Sequence, residues 1–221
     1  MIIVSLPDIH GQTAPIAQLG AALTEADLVL LTGDITHFGG AAAARRVLDA
    51  LRAAGARRIR AVPGNCDHPG VAGLLEDEKI SLDARWEDID GLVIVGLGGS
   101  LPCPGATPNE YGETELAAML ATAAKNLPAG RPLVLASHQP PFETLNDRLS
   151  NGTHVGSRAV RDFITTQRPL VCFTGHIHEA AGVDAIGPSR IVNPGPLWRG
   201  HFARARIEKG LAEVRIEPLA G

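Results

Sequence analysis

The chain has 221 residues, enough for one domain with a sizeable core or for two small domains. Hydrophobic residues make up 45% and charged residues 20%, which is ordinary for a globular protein and excludes a disordered chain, a collagen and a coiled coil. The formal net charge of −4 does not favour a main role in binding nucleic acid or an anionic membrane surface.

The sequence gives no sign of membrane insertion or export. No apolar stretch approaches the length of about 18 residues that a spanning helix needs, and the opening residues, MIIVSLPD, lack the basic region and cleavage site of a signal peptide. The three cysteines, Cys66, Cys103 and Cys172, contain no C-x-x-C pair. This odd count favours a reducing compartment, so we expect a cytoplasmic protein without disulfide bonds.

Short apolar runs alternate with amphipathic, Ala- and Leu-rich stretches along most of the chain. In order, they predict strand 2–6, helix 15–24, strand 28–31, helix 41–54, strand 59–62, helix 70–78, a hairpin of 86–89 and 92–97, helix 113–125, strand 133–137, helix 157–166 and strand 170–174. From Val183 onward only strands are predicted, at 183–186, 190–192, 202–208 and 211–217. Residues 98–112, rich in Pro and Gly, predict a long surface loop of the kind that is often functional.

This order of elements predicts a mixed α/β fold. Alternating strands and helices followed by strands alone indicate a mixed sheet that leads into a second, more antiparallel sheet. No internal repeat or low-complexity linker interrupts the chain. We therefore expect a single domain over residues 1–221.

Polar side chains follow five of the predicted strands directly. In open α/β sheets the ligand site lies at the carboxyl ends of the strands, so these side chains are expected to converge. They comprise two aspartates, one asparagine and four histidines: Asp8, His10, Asp34, Asn65, His138, His176 and His178.

This set of oxygen and nitrogen donors predicts a binuclear metal centre. Imidazole together with carboxylate suits Mn, Fe, Ni, Co or Zn, and seven ligands are too many for one tetrahedral ion but suit two ions that share one ligand. Two divalent ions carry four positive charges, of which Asp8 and Asp34 neutralise two and a bridging hydroxide one. The remaining positive charge suits an anionic phosphoester.

The same blocks resemble the calcineurin-like metallophosphoesterase family. They are Asp8-x-His10, Gly33-Asp34, Gly64-Asn65-x-Asp67, His138 and Gly175-His176-x-His178, they span residues 8–178, and they stand in the family's order. Asn193-Pro194-Gly195 also looks like a loop of small bacterial and archaeal members with a GNCD motif. The resemblance implies a four-layer αββα sandwich of two mixed β-sheets flanked by helices.

The resemblance also implies a role for each ligand. Asp8, His10 and His178 would hold the first metal, and Asn65, His138 and His176 the second. Asp34 would bridge the two ions and the nucleophilic hydroxide, and Asn65 would also lie near the phosphate oxygens. We expect Mn²⁺ first, with Fe, Zn, Ni and Co as alternatives.

Cys66 departs from the pattern of many members, which carry at this place a histidine that is thought to protonate the leaving group. A lone thiol beside an asparagine ligand is more often a packing residue than a ligand, although its softness leaves contact with Zn open. Asp67 is expected to orient a ligand or cap backbone. His68 and His154 are further candidates for the pocket rim or for a surrogate acid.

The function that follows is a phosphoesterase that acts on a small-molecule phosphoester, with diesters preferred. The alternatives are a phosphomonoesterase or protein phosphatase, and a catalytically silent metal-binding scaffold like the retromer subunit of the same fold. Such a scaffold would be expected to have lost ligands, and all seven are present. Neither nucleic acid nor a membrane is favoured as a partner, and the sequence is compatible with a homodimer.

Overall fold

The computed structural model describes residues 1–220, which form two β-sheets packed face to face. The first sheet has the strand order β11-β10-β1-β2-β3. Its strands are β1 (Ile2–Leu6), β2 (Leu28–Thr32), β3 (Ile59–Val62), β10 (His201–Glu208) and β11 (Leu211–Pro218). β1, β2 and β3 are parallel, whereas β10 and β11 join antiparallel at one edge.

The second sheet has the order β4-β5-β6-β7-β9-β8. Its strands are β4 (Arg85–Ile89), β5 (Leu92–Leu97), β6 (Leu133–Ser137), β7 (Val171–Phe173), β8 (Gly182–Ile186) and β9 (Ser189–Asn193). The inner four strands are parallel, and β4 and β8 close the edges antiparallel. Inner strands such as β2 and β6 are buried along their whole length, as expected for parallel strands covered on both faces.

Helices cover the outer face of each sheet. A 3₁₀ helix (Ala14–Leu19), α1 (Gly20–Glu25), α2 (Ala41–Ala53) and α3 (Pro69–Asp77) pack on the first sheet, and α4 (Glu113–Ala123) and α5 (Arg158–Gln167) on the second. The faces between the sheets share a core that includes Ile3 and Leu30 from the first sheet and Val134 and Phe173 from the second. The predicted αββα sandwich is confirmed.

The C-terminal strands differ from the prediction in one respect. The sequence predicted that they would form a second, more antiparallel sheet, but β8 and β9 extend the second sheet whereas β10 and β11 extend the first. The first sheet therefore has one antiparallel edge, and the second has two around a parallel centre. The predicted helix over 15–24 is also divided, because a 3₁₀ helix precedes α1. Among residues 1–220, no helix combines the length and apolar character that crossing a bilayer would require.

The strand register brings the polar strand ends to one edge of the sandwich. Leu6 of β1 is paired with Leu31 of β2, and the Asp8 backbone N–H then donates to the Gly33 carbonyl oxygen over 3.0 Å. In the second sheet the His138 backbone N–H donates to the Leu97 carbonyl oxygen over 3.0 Å. The carboxyl ends of both sets of parallel strands therefore meet at the same edge.

Candidate metal centre

The loops that carry the candidate ligands have an unusual backbone. Asp8, His10, Asp34 and His176 all have left-handed conformations, with φ of 52°, 48°, 49° and 68°. Non-glycine residues adopt this region rarely, and such strain concentrates at functional sites where the surrounding structure enforces it. Four of the seven candidate ligands are therefore held in conformations that the chain alone would disfavour.

A first group of donor atoms consists of Asp8, His10 and His178. One ligand atom from each lies within 4.8 Å of the others. The Nε2 atoms of His10 and His178 are 3.2 Å apart, and His178 Nε2 lies 3.6 Å from Asp8 Oδ1. Three donors that point at one another in this way suit a common cation.

A second group surrounds His138, which is completely buried. Its Nδ1 donates to the Thr32 carbonyl oxygen over 2.9 Å, and its Nε2 lies 2.8 Å from Asn65 Oδ1. The bond to Thr32 fixes the ring and leaves Nε2 as the atom available to a metal. The His176 ring lies beside it, with 5.1 Å between the ring centroids.

Asp34 lies between the two groups. Its Oδ2 is 3.5 Å from His10 Nε2 and its Oδ1 is 3.5 Å from His138 Nε2. Each carboxylate oxygen therefore faces a histidine of a different group. The structure thus brings together Asp8, His10, Asp34, Asn65, His138, His176 and His178, all of which were predicted site residues.

The charges of this cluster suit divalent cations. Asp8 is fully buried and Asp34 is 2% exposed, and within residues 1–220 neither carboxylate pairs with a Lys or Arg side chain; the basic groups beside them are histidines. Buried carboxylates need compensation by a cation. The donor set therefore fits metal ions of the type predicted from the sequence.

The protonation of two of the imidazoles points the same way. Burial lowers the pKa of His10 to about 4 and the pKa of His176 to about 3, so both rings are neutral near pH 7, as metal ligands must be. Burial, reinforced by the negative charge of Asp8, raises the pKa of Asp34. A bound cation would favour the ionised carboxylate.

Three motif glycines leave room for candidate ligands. A Cβ atom on Gly33 would overlap the His138 ring, and one on Gly64 would overlap the backbone N and Oδ1 of Asp34. A Cβ on Gly175 would lie 2.7 Å from Asp8 Oδ2. Each glycine therefore has a packing reason beyond turn formation, because a ligand side chain lies directly against its Cα.

The Asp67 carboxylate binds the backbone of two loops of the site, not the side chain of a candidate ligand. Its carboxylate accepts hydrogen bonds from the backbone N–H groups of Ile35 (3.1 Å), Thr36 (2.8 Å) and Gly64 (2.8 Å). It also accepts from the Thr36 hydroxyl over 2.7 Å. Asp67 therefore ties the loop after β2 to the loop after β3, which together carry Asp34 and Asn65.

Cys66 lies against the bridging position. Its backbone N–H donates to Asp34 Oδ1 over 2.8 Å, and its Sγ lies within 4.8 Å of ligand atoms of His10 and Asp34. Burial and the charge of Asp34 raise the pKa of the Cys66 thiol. The thiol is therefore protonated near pH 7 and is a weaker donor to a metal than a thiolate.

The structure does not bring His68 or His154 into contact with the cluster. His68 is exposed at the start of α3, where its backbone N–H donates to the Gly39 carbonyl oxygen. His154 Nδ1 lies 2.7 Å from Asp147 Oδ1, and its ring packs near Phe142. His37 reaches the rim instead, with its Nδ1 3.3 Å from His10 Nδ1.

Two residues at the centre were not singled out by sequence analysis. Cys103 Sγ lies 3.6 Å from His176 Nε2, and Trp198 packs against both His10 and His178. The Pro- and Gly-rich composition of residues 98–112 predicted a functional loop but named no residue in it. No sequence pattern pointed to Trp198, which follows the last of the motif blocks.

Comparisons with known proteins identify the family of this chain. Residues 1–180 match the family described as "Calcineurin-like phosphoesterase". An uncharacterized protein of Methanocaldococcus jannaschii, MJ1162, is 36% identical over 200 residues, covering 89% of this chain and 88% of that protein.

Solved structures share the fold over nearly the whole chain. The protein TT1561 of Thermus thermophilus has a TM-score of 0.75 at 18% identity, covering 99% of this chain and 98% of that one. A dimetal phosphatase from Danio rerio has a TM-score of 0.63 at 13% identity, covering 99% of both chains. At these identities the likeness concerns the fold alone. The match over residues 1–180, together with the relative from M. jannaschii, shows that the chain belongs to the calcineurin-like phosphoesterase family.

Proposed function

We propose that this phosphoesterase works with two divalent metal ions, Mn²⁺ first among them, and that it prefers phosphodiesters. Asp8, His10 and His178 would hold one ion, Asn65, His138 and His176 the other, and Asp34 would bridge them. The observation that carries this proposal is the position of Asp34, whose two oxygens each lie 3.5 Å from a histidine of a different group. When bound, the ions would supply a nucleophile from water and neutralise charge on the phosphate.

The chain's own residues would orient and stabilise the ester. Asn65 directs Oδ1 to His138, and its Nδ2 donates to the Thr107 hydroxyl over 3.1 Å and to Cys66 Sγ over 3.6 Å. These bonds fix the orientation of the amide, which would exchange one of them for a phosphate oxygen. Asn109 donates from its side chain to the Gly64 carbonyl oxygen over 2.9 Å. This contact fastens the 98–112 loop to the Asn65 loop and helps to keep that amide in place.

The chain would work as one domain in a reducing compartment. Candidate ligands come from loops of both sheets, so neither sheet could form the site alone. Cys66, Cys103 and Cys172 are all free thiols, two of them buried. Free cysteines of this kind suit the cytoplasm.

The preference for diesters rests on charge and on position 66. A diester carries one negative charge and a monoester up to two, so an anionic nucleophile repels the diester less. An alkyl monoester also needs an acid to protonate its poor leaving group, a contribution typically worth about 10²–10⁴-fold. Position 66 carries a thiol, which replaces an imidazolium poorly in that task.

The first test combines metal analysis with a pair of substrates. We expect purified, Mn²⁺-loaded protein to contain two ions per chain and to hydrolyse bis(p-nitrophenyl) phosphate faster than p-nitrophenyl phosphate. Both substrates release the same phenolate, so the comparison isolates the second ester group. At most one ion in an active enzyme would refute the binuclear proposal. Faster turnover of the monoester would refute the diester preference, and two tightly bound ions without turnover of any phosphoester would favour the scaffold alternative.

Cys66→His is expected to raise the kcat for alkyl phosphomonoesters relative to bis(p-nitrophenyl) phosphate. An imidazole at position 66 would add an acid for the poor leaving group, whereas the activated aryl leaving group needs little protonation. Cys66→Ser is the matched control, because it keeps the size and adds no acid in this pH range. The ion content of each variant must be measured, since Sγ lies close to His10 and Asp34. An unchanged ratio in a variant that retains both ions would contradict the role given to position 66.

A further inference from the structure

A row of aromatic rings leads from the candidate metal centre to the surface. The Trp198 ring centroid is 5.1 Å from that of His178 and 5.3 Å from that of His10. From His10 the row continues to His37 over 5.3 Å and from His37 to Phe38 over 5.0 Å. A cavity of about 350 Å³ opens beside these rings and is lined by His10, Gln12, His37, His178 and Trp198.

The exposure of these rings is unusual for this protein. Aromatic residues make up only 4% of the chain. Trp198 is 38% exposed and Phe38 is 47% exposed, and within residues 1–220 no other Phe, Trp or Tyr is among the exposed large apolar side chains. Exposed apolar residues need no explanation when they are scattered singly, but grouping beside a polar site marks a ligand surface.

Trp198 is positioned by the loop that carries two of the candidate ligands. It lies in the short 3₁₀ helix Leu197–Arg199, and Arg199 Nη1 donates to the His178 carbonyl oxygen over 2.6 Å. Asn193 Nδ2 donates to the Ile177 carbonyl oxygen over 3.0 Å. The 3₁₀ helix that carries the indole is therefore tied to the loop of His178.

Phe38 is held in place at an energetic cost. Its φ of 52° is left-handed, a conformation that is rare for a bulky residue and is found at ligand clamps. The turn is fixed by the Thr36 hydroxyl, which donates to the Gly39 carbonyl oxygen over 3.0 Å. The phenyl ring on this strained turn is 47% exposed, so a ligand that covered it would bury further apolar surface.

We propose that Trp198 is a specificity-determining residue that stacks on a flat aromatic group of the phosphodiester, such as a nucleobase or an aryl ring. The inference rests on the proposed phosphodiesterase function and names the class of ester that the site would take. With the phosphate at the ligand cluster, an aromatic ester group would enter the adjoining cavity and cover the indole. Gln12 lines the same cavity, and its amide offers both donors and an acceptor to a base edge.

The test uses three diesters that share a trifluoroethyl ester group, which has no ring, and differ in the second ester group, which is methyl, phenyl or thymidine 5′-yl. Stacking of a base on an aromatic side chain corresponds to about 10-fold or more in affinity. Trp198→Ala is therefore expected to raise KM about 10-fold for the phenyl and thymidine esters, with little change for the methyl ester, and Trp198→Phe should restore most of the loss.

Gln12→Ala should raise KM for the thymidine ester alone if the natural group is a nucleobase, and for neither ring ester if it is a plain aryl group.

Leu211→Ala is the control for loss of an exposed apolar side chain. Leu211 is 75% exposed and lies at the turn between β10 and β11. Trp198 lies near the other end of β10, which begins at His201. We expect its KM values to match those of the wild type for all three esters. An equal rise in KM for all three esters in Trp198→Ala, with ion content unchanged, would overturn the inference.

A binding measurement separates this inference from the proposed function. The chain has two tryptophans, so Trp86→Phe leaves Trp198 as the single indole fluorophore. Phenylphosphonate is expected to quench that fluorescence at lower concentration than methylphosphonate, whether or not the protein turns over. Selective quenching without hydrolysis of any diester would refute the proposed function but support the aromatic site. Hydrolysis without selective quenching would overturn the aromatic site alone.

Discussion

Asp34→Asn is expected to lower ion content at both metal positions and to reduce hydrolysis of bis(p-nitrophenyl) phosphate by at least about 100-fold. Replacing groups that merely orient a ligand costs about 10–100-fold in metal affinity or activity, and Asp34 lies between both groups of ligands. The amide is nearly isosteric but loses the negative charge and one acceptor oxygen. Elemental analysis and kcat/KM, measured on the same preparation, would show the coupled loss.

Two variants distinguish a bridge from an ordinary ligand. His10→Ala removes a donor of the first group only, so we expect it to weaken one ion and to retain the other. Asp49→Asn removes the same charge from a side chain that is 63% exposed on α2, and we expect no effect on ion content. If Asp34→Asn kept two ions and full turnover, the bridging role would be wrong.

Strand positions and the polar residues that follow them could be predicted because both signals are local. β1, β2 and β6 are mainly apolar, since parallel strands between two layers are buried on both faces. The Asp90-Gly91 turn was also predictable, and both residues have the positive φ that a tight hairpin turn requires. The resemblance of the motif blocks then connected strand ends that lie far apart in sequence.

The partners of the C-terminal strands could not be predicted, because strand pairing depends on tertiary contacts. β10 pairs with β1, almost two hundred residues earlier in the chain, and nothing in its own alternation selects that partner over β9. Trp198 reaches the centre through the 3₁₀ helix between β9 and β10. Its place therefore depends on where those two strands go, which is why no local pattern revealed it.

The reason for the glycine at position 64 also appears only in three dimensions. In sequence it looks like a turn residue before Asn65, but its φ is not in the left-handed range. Its requirement is steric, since Asp34 from another loop lies against its Cα. Gly33 combines a φ of 93° with contact to His138, so a substitution there would mix backbone strain with steric overlap. Gly64 is therefore the cleaner position for an experiment.

Gly64→Ala is expected to disrupt the metal centre and to destabilise the fold. The new methyl group would overlap the backbone N and Oδ1 of Asp34, so the loop after β2 must move away from its place beside His138. Overpacking of this kind costs about 1–3 kcal/mol, and each kcal/mol lowers the Tm of a chain of this size by about 2–4 °C. Ion content and turnover should fall together with the Tm, because the loops that carry Asp34 and Asn65 meet at Gly64.

Gly73→Ala is the matched control for this change. Gly73 is an exposed residue of α3, and a Cβ atom added there meets nothing within 4 Å. Alanine in a helix interior is favoured over glycine by about 0.5–1 kcal/mol, so this variant should melt slightly higher than the wild type with both ions retained. Thermal denaturation with and without Mn²⁺ would compare the two variants directly. If Gly64→Ala melted like Gly73→Ala and kept its ions, the close contact between Gly64 and Asp34 would not be what holds the bridging carboxylate in place.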